Sequence, residues 1–514
     1  MPRFPRRIFL HMALSNSASP AASRPLKILF VASECAPVVK SGGLGDVVGG
    51  LSKALRALGH DARVVLPLYS SIDRERWGLK PSVPSTSCVH MGAGEEQWIG
   101  VQEARLDGVP LWLVDCDKFF ARPGLYDDGR SDYLDNAYRF GLLSKAALQI
   151  AKDRAWFPDI AHLHDWMSAP TAAFLKTWDR FLSPLSQTAS VLTIHNIGYQ
   201  GSYSPDVLKY FGMSAEYFAP DIFEAHGQVN LLKAGVHFAD AINTVSPTHA
   251  HEILTPGGGM GLAPYLNNRA ADVFGVLNGA DYGSWNPESD PLIPARYSAS
   301  NLAGKAKCKA ALQARLGLEV RPDVPLVGIV SRFAAQKGFD LIMEALPRAL
   351  GEMVVQVAVL GTGDRYTEEF FHWLFAHYPN AKGHIGFSNE LAHTIEAGSD
   401  FFLMPSLYEP CGLNQIYSLK YGTLPIVRAT GGLEDTVENY NEATGTGTGF
   451  KFYESNAASL YYTLGWAIST WFDRPQHYKK LQQNAMSQHF GWDDSAPKYL
   501  EIYQHAMRKR AASL

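Results

Sequence analysis

LKILFVASECAPVVKSGGLGDVVGGLSKALRALG, residues 26–59, decides how the rest of the chain is read. An apolar run, Ile28-Leu29-Phe30-Val31-Ala32, leads into a glycine-rich turn and then into a helix-like stretch over 46–58. A strand, a glycine turn and a helix in that order form half of a nucleotide-binding unit, because turn amides and the helix dipole both favour an anion. The question is whose phosphate the turn would hold. A dinucleotide fingerprint needs G-x-G-x-x-G and an acid closing the second strand. Here Gly43-Leu44-Gly45 is followed by Asp46-Val47-Val48, and the next strand ends in Leu66-Pro67-Leu68-Tyr69. No G-x-x-x-x-G-K-[ST] occurs either, so NAD and ATP motifs both fail. What remains is Lys40 beside Gly42 and Gly43, a cation next to backbone that a ligand can approach closely; a tight turn with a solvated lysine reads equally well on this motif alone.

Working outward, the same alternation continues. Runs ARVVLPL, VPLWLVD, DIAHLH, ASVLTIHN and DAINTVS are separated by helical segments, one of them over 136–151. The pattern pauses near Val276-Leu277-Asn278-Gly279 and restarts with PLVGIVSRF, a helix over 338–350, VVQVAVLG, KGHIGF, DFFLMPS and LPIVRAT. Short β-branched runs spaced by helices predict a parallel sheet covered on both faces. Written twice, the pattern predicts two such sheets, with ligands beyond the carboxyl ends of their strands and a cleft between them. A last helix is expected over 499–510.

Bulk properties agree with 514 residues divided among two or three domains. Hydrophobic residues make up 46 % and the net charge is −4, so neither a basic nucleic-acid face nor a membrane-spanning run is expected. The five cysteines contain no CxxC pair, which argues against zinc and disulfide frameworks and for a reducing cytoplasm. Residues 1–26 carry Arg, Ser, Ala and Pro but no acid; the first is Glu34. They read as a disordered tail or an overcalled start, or alternatively as a plastid-type transit peptide.

The strand-end motifs carry the chemistry. His162-Leu163-His164-Asp165-Trp166 hints at metal, yet no third ligand has recognisable spacing, and Asp165 at a cleft mouth is the better reading. His195-Asn196 ends a neighbouring strand. Arg332 and Lys337, five apart across a turn, could both reach one diphosphate, Arg as a fork and Lys as a point charge. Glu409-Pro410-Cys411-Gly412-Leu413 sets a carboxylate beside helix-start amides, although Glu409 could merely be a helix-dipole charge worth about 0.3–1 kcal/mol. Thr430-Gly431-Gly432 could add another amide cradle. Asp115-Cys116-Asp117 matches a bare D-x-D but is read as structural.

Taken in order, Lys40-Ser41-Gly42-Gly43-Leu44, His164-Asp165-Trp166, His195-Asn196, Ser246-Pro247-Thr248, Leu277-Asn278-Gly279, Arg332 with Gln336-Lys337-Gly338, Glu409 to Leu413 and Thr430 to Leu433 resemble the bacterial and plastidial glycogen (starch) synthases over about 27–508. The resemblance implies a GT-B fold, two Rossmann-like doubly wound parallel-sheet domains facing a deep interdomain cleft. It implies domains at 27–273, completed by a helix over 487–508, and at 274–486, closing about Leu277-Asn278-Gly279. It further implies retaining transfer of glucose from ADP-glucose to the non-reducing end of an α-1,4-glucan, with no cofactor, essential metal, nucleic acid or membrane. In that family's pattern Lys40 lies near the donor diphosphate and Arg332 with Lys337 stabilises the leaving group. Glu409 contacts the donor glucose, and Asp165, His195 and Asn278 surround it. The amides of Gly412 and Leu413 match donor positions; Gln336 and Cys411 fall within the same matching motifs. Asn414 and Phe387 stand where threonine and tyrosine are common, and Phe387 keeps a face for adenine. A transferase using UDP-glucose or a small acceptor, an inactive glucan-binding scaffold and, remotely, a dehydrogenase are the competing readings.

Overall fold

The computed structural model describes residues 24–514, so the reading of the leader as tail, overcalled start or transit peptide lies outside the described residues up to residue 23. Two sheets organise the chain. The first contains β1 (Lys27–Val31), β2 (Asp61–Pro67), β3 (Lys80–His90), β4 (Glu96–Leu106), β5 (Val109–Asp115), β6 (Ile160–His164), β7 (Ala189–Ile194), β8 (Ala241–Thr244) and β9 (Val273–Gly275), in the order β9-β8-β7-β6-β1-β2-β5-β4-β3. The second contains β10 (Leu326–Phe333), β11 (Gln356–Gly363), β12 (Ala381–Ile385), β13 (Phe401–Met404), β14 (Leu424–Arg428) and β15 (Phe450–Phe452), in the order β12-β11-β10-β13-β14-β15.

Every pairing in the second sheet is parallel. The first departs from expectation at one edge, where β4 pairs antiparallel with both β5 and β3. Its outer strand buries only Ser82, Ser87 and Val89 among eleven residues. Such a strand lacks the apolar run that marks a central parallel strand. By contrast β1 buries Ile28, Leu29, Phe30 and Val31 completely, because helices cover both of its faces.

Helix Trp492–Ala512 returns to the first sheet, beginning earlier than the sequence suggested. Tyr503 Oη lies 2.9 Å from His162 Nδ1, Asn243 donates to Tyr499 Oη at 3.2 Å, and Arg510 donates to the Ser186 carbonyl at 2.8 Å. Asp272 receives Arg269 at 2.8 Å, His505 at 2.9 Å and also Lys509. The two chain crossings between the sheets run side by side, with the Ala280 amide donating to the Phe490 carbonyl at 2.7 Å. Trp492, just after the second crossing, packs against Gly279 of the first and against Gly50 of helix Gly43–Ala57: a Cβ on Gly279 would lie 2.5 Å from its indole, and one on Gly50 2.1 Å. Only glycine allows that closeness at either position. Trp285 of the same connecting segment is stacked between His393 (ring centroids 3.7 Å) and Tyr417 (4.3 Å).

Candidate active site

The carboxyl ends of both sheets' strands open on one cleft of about 1120 Å³. Its second-sheet wall begins with Arg332, near the end of β10, where the chain turns through Gln336 and Lys337. Gly338 there, at φ 70°, starts the next helix in the left-handed region. Lys337 Nζ donates to Glu409 Oε2 at 2.6 Å, and Ser406 Oγ donates to the same oxygen at 2.9 Å. Glu409 is buried and Arg332 exposed; among the described residues the Arg332 guanidinium has no ion-pair partner. Gln336 donates to the Tyr408 carbonyl at 3.1 Å and meets Asn196 of the opposite wall at 3.5 Å.

Gly412, at φ 75°, turns the chain from Cys411 into helix Asn414–Lys420. Asn414 donates to the Val330 carbonyl at 2.8 Å, tying that helix to β10. Burial pushes the Cys411 thiol up to about 12, so it lines the cleft as a neutral group rather than a nucleophile. Asn278 and Leu413 reach the same wall, and among the described residues the buried Asn278 Oδ1 has no hydrogen-bond partner. Phe387 stands at the rim, 88 % exposed.

The facing wall is built from β6 and β7. Asp165, at φ 55°, follows β6 directly, and its Oδ1 receives the amides of His195 at 2.6 Å and Asn196 at 3.4 Å. Burial raises the Asp165 carboxyl to about 7, against the pull of those amides. His195 Nε2 lies 2.9 Å from His164 Nδ1, and burial lowers His195 and His162 to about 3. All are therefore neutral imidazoles near neutral pH. His162 is core, 2.7 Å from Thr193 Oγ1, so the His-x-His pair faces inward rather than toward a metal.

Two sequence expectations change. The glycine turn does border the cleft through Lys40, Gly42 and Gly43, with open space at both glycines. Yet its amides are partly occupied: Glu34 Oε2 accepts from Ser41 at 2.5 Å and Gly42 at 3.1 Å, while Oε1 takes the Ser41 hydroxyl at 2.8 Å and Tyr126 at 2.5 Å. Lys40 is paired with Asp46 at 2.9 Å. Thr430, Gly431 and Gly432 do not line the cleft, which corrects the proposed amide cradle. Glu252 of the first-sheet half accepts from Thr430 Oγ1 at 3.0 Å and from the Gly431 amide at 2.9 Å, and the Gly432 amide serves the Glu409 carbonyl at 3.0 Å. In return Asp435 receives the Thr248 amide at 2.8 Å and its hydroxyl at 2.6 Å. Helices Pro247–Glu252 and Gly431–Thr436 thus cap each other across the two halves.

Sequence reasoning overlooked Glu34, Tyr126, Ser406, Glu252 and Asp435. Glu34 was within reach of it, since an acid directly after a buried strand and before a glycine turn is a ready amide acceptor. Asp115 is paired with Arg74 at 3.3 Å and lies outside the cleft lining.

Two Rossmann-like halves opening on one cleft between their strand ends are the architecture of GT-B glycosyltransferases. A starch synthase catalytic domain profile matches residues 27–268, and a glycosyl transferases group 1 profile matches 315–488. The chain is 47 % identical over 490 residues to glycogen synthase 1 of Geobacter metallireducens, covering 95 % of this chain and 97 % of that one. It is 44 % identical to glycogen synthase of Treponema denticola, covering 95 % and 100 %. The solved catalytic domain of starch synthase IV from Arabidopsis thaliana, bound to ADP and acarbose, superposes with a TM-score of 0.86 at 33 % identity over 94 % of this chain and 100 % of that one. The chain belongs to the glycogen (starch) synthase family and is a glycosyltransferase. Among the described residues no helix is long and apolar enough to cross a membrane.

Proposed function

We propose that the protein transfers glucose from ADP-glucose to the non-reducing end of an α-1,4-glucan with retention of configuration. The observation that carries this reading is the Lys337–Glu409 pair beside Arg332, facing Asp165 and His195 across one cleft. Lys337 and Arg332 neutralise the diphosphate as the glycosidic bond to it breaks. Glu409, anchored by Lys337 and Ser406, holds donor-sugar hydroxyls. The Gly412 and Leu413 amides, Cys411 and Gln336 shape the donor pocket, and Phe387 stacks on the base. Lys40, Gly42 and Gly43 close over the diphosphate from the other half, and Asp165, His195 and Asn278 hold the transferred sugar. The ADP and acarbose held by the Arabidopsis relative support a nucleotide and a glucan in such a cleft.

Retaining glycosidases place a second carboxylate about 5 Å from the first. Glu409's hydrogen-bond partners are an ammonium and a hydroxyl instead. Same-face attack, with the departing phosphate taking the acceptor's 4-hydroxyl proton, fits this arrangement without a covalent sugar–enzyme intermediate. The cations already present supply the charge that a metal would, so activity is expected to survive EDTA. The test is nucleotide release with glycogen from ADP-glucose and UDP-glucose in parallel, followed by NMR of the new linkage. Glycogen-dependent ADP release with an α-linked product supports the reading. Preference for UDP-glucose would overturn the donor, and a β-linked product the stereochemistry.

A further inference from the structure

The hairpin at the edge of the first sheet carries a cluster that the transfer reaction does not use. Strands β3 and β4 pair so that His90 lies directly opposite Glu96 and Cys88 opposite Trp98. Residues two apart on a strand share a face, so Cys88 and His90 both point outward while Ser87 and Val89 are buried. One donor atom from each of Cys88, His90 and Glu96 lies within 4.8 Å of the other two, and His90 Nδ1 is 3.4 Å from Glu96 Oε1.

From this geometry we propose that Cys88, His90 and Glu96 form a surface site for a thiophilic divalent cation of the zinc type, with water as fourth ligand. A tetrahedral zinc with bonds of about 2.0–2.3 Å separates its ligands by roughly 3.3–3.7 Å, and the His90–Glu96 distance already falls in that range. A sulfur, an imidazole and one carboxylate select zinc or cobalt over magnesium or calcium, which prefer all-oxygen sets. The antiparallel pairing holds all three donors on hydrogen-bonded neighbouring strands. The sulfur binds the cation as thiolate, so the cation displaces a proton on binding. None of the three residues lines the cleft. The ion would clamp the outer strand to its neighbour beside the turn at Gly92–Gly94.

The full-length protein, stripped with chelator, is titrated with zinc against a chromophoric competitor and separately with cobalt(II). The expected result is one equivalent bound with micromolar or tighter affinity, a thiolate-to-cobalt charge-transfer band, and release of a proton. Cys88→Ser should abolish the band, and His90→Ala should weaken binding at least tenfold, with glucosyl transfer unchanged in both. A second exposed group, His489 with Asp493 and Asp494, contains no sulfur and serves as the control. Cobalt bound without the charge-transfer band, or binding that survives Cys88→Ser and disappears in His489→Ala, would overturn the proposal, as would no binding at all.

Discussion

Asp165→Asn should stabilise the protein, and do so more at alkaline than at acid pH. The carboxyl is buried and sits near 7 instead of its ordinary 3.8. A raised carboxyl pKa means that the folded state favours the neutral form. Its contribution to stability is full below about pH 4 and is lost as pH rises through 7. The ionisation penalty is then about 1.5 kcal/mol at pH 5 and about 4 kcal/mol at pH 8. Asparagine is nearly the same size, accepts the His195 and Asn196 amides through its own oxygen, and tolerates the positive φ at this position. Chemical denaturation of both proteins at pH 5 and pH 8 reads the difference between them, so other titrating groups largely cancel. The variant's advantage should widen by about 2.5 kcal/mol over that interval. Equal stability at pH 8, or an advantage that does not change with pH, would refute the claim that burial dominates this carboxyl.

Four further expectations follow from the same contacts. If, as proposed, the carboxylate holds sugar and the cations hold diphosphate, Glu409→Ala should lower kcat by about a hundredfold while leaving the ADP dissociation constant within a few fold; calorimetry beside steady-state kinetics separates the two. Phe387→Ala should weaken ADP binding by about tenfold and Phe387→Tyr should not, if the ring stacks on the base. Burial opposes ionisation of Asp272, but Lys509, Arg269 and His505 outweigh it and hold the carboxyl at about 2. Its stabilisation is present above about pH 4 and fades toward pH 2, and Asp272→Asn should expose the helix Trp492–Ala512 to protease at neutral pH. Glu252→Ala and Asp435→Ala should each cost about 1 kcal/mol in chemical denaturation, and unchanged stability in both would dismiss the reciprocal caps.

Central strands were legible because burial on two faces demands continuous apolar runs, as in Ile28 to Val31 and Val357 to Leu360. The β3–β4 hairpin was not, since Lys80 to His90 contains two prolines, a register shift between Pro81 and Thr86, and one solvent-facing side. Within the site, contiguous loops announced themselves, but the destination of an amide did not. Gly431 donates to Glu252, 179 residues away, and no local pattern states that.

The same fact bears on what binds phosphate here. A glycine turn suggests free amides, yet Glu34 occupies those of Ser41 and Gly42, Asp165 those of His195 and Asn196, Glu252 that of Gly431, and Asp435 that of Thr248. In each case a carboxylate fixes a strand-end loop, as a phosphate would elsewhere. Lys40 is likewise matched by Asp46. On the second-sheet wall the balance differs: Lys337 is paired with Glu409, while Arg332 has no ion-pair partner among the described residues. A diphosphate drawn into the cleft gains most where positive charge is not already spent on a side chain. On the proposed reading the diphosphate would therefore sit beside Arg332, with Lys337 divided between Glu409 and the leaving oxygen, and Arg332→Lys should impair turnover more than it impairs folding, since an ammonium cannot grip two phosphate oxygens in a plane.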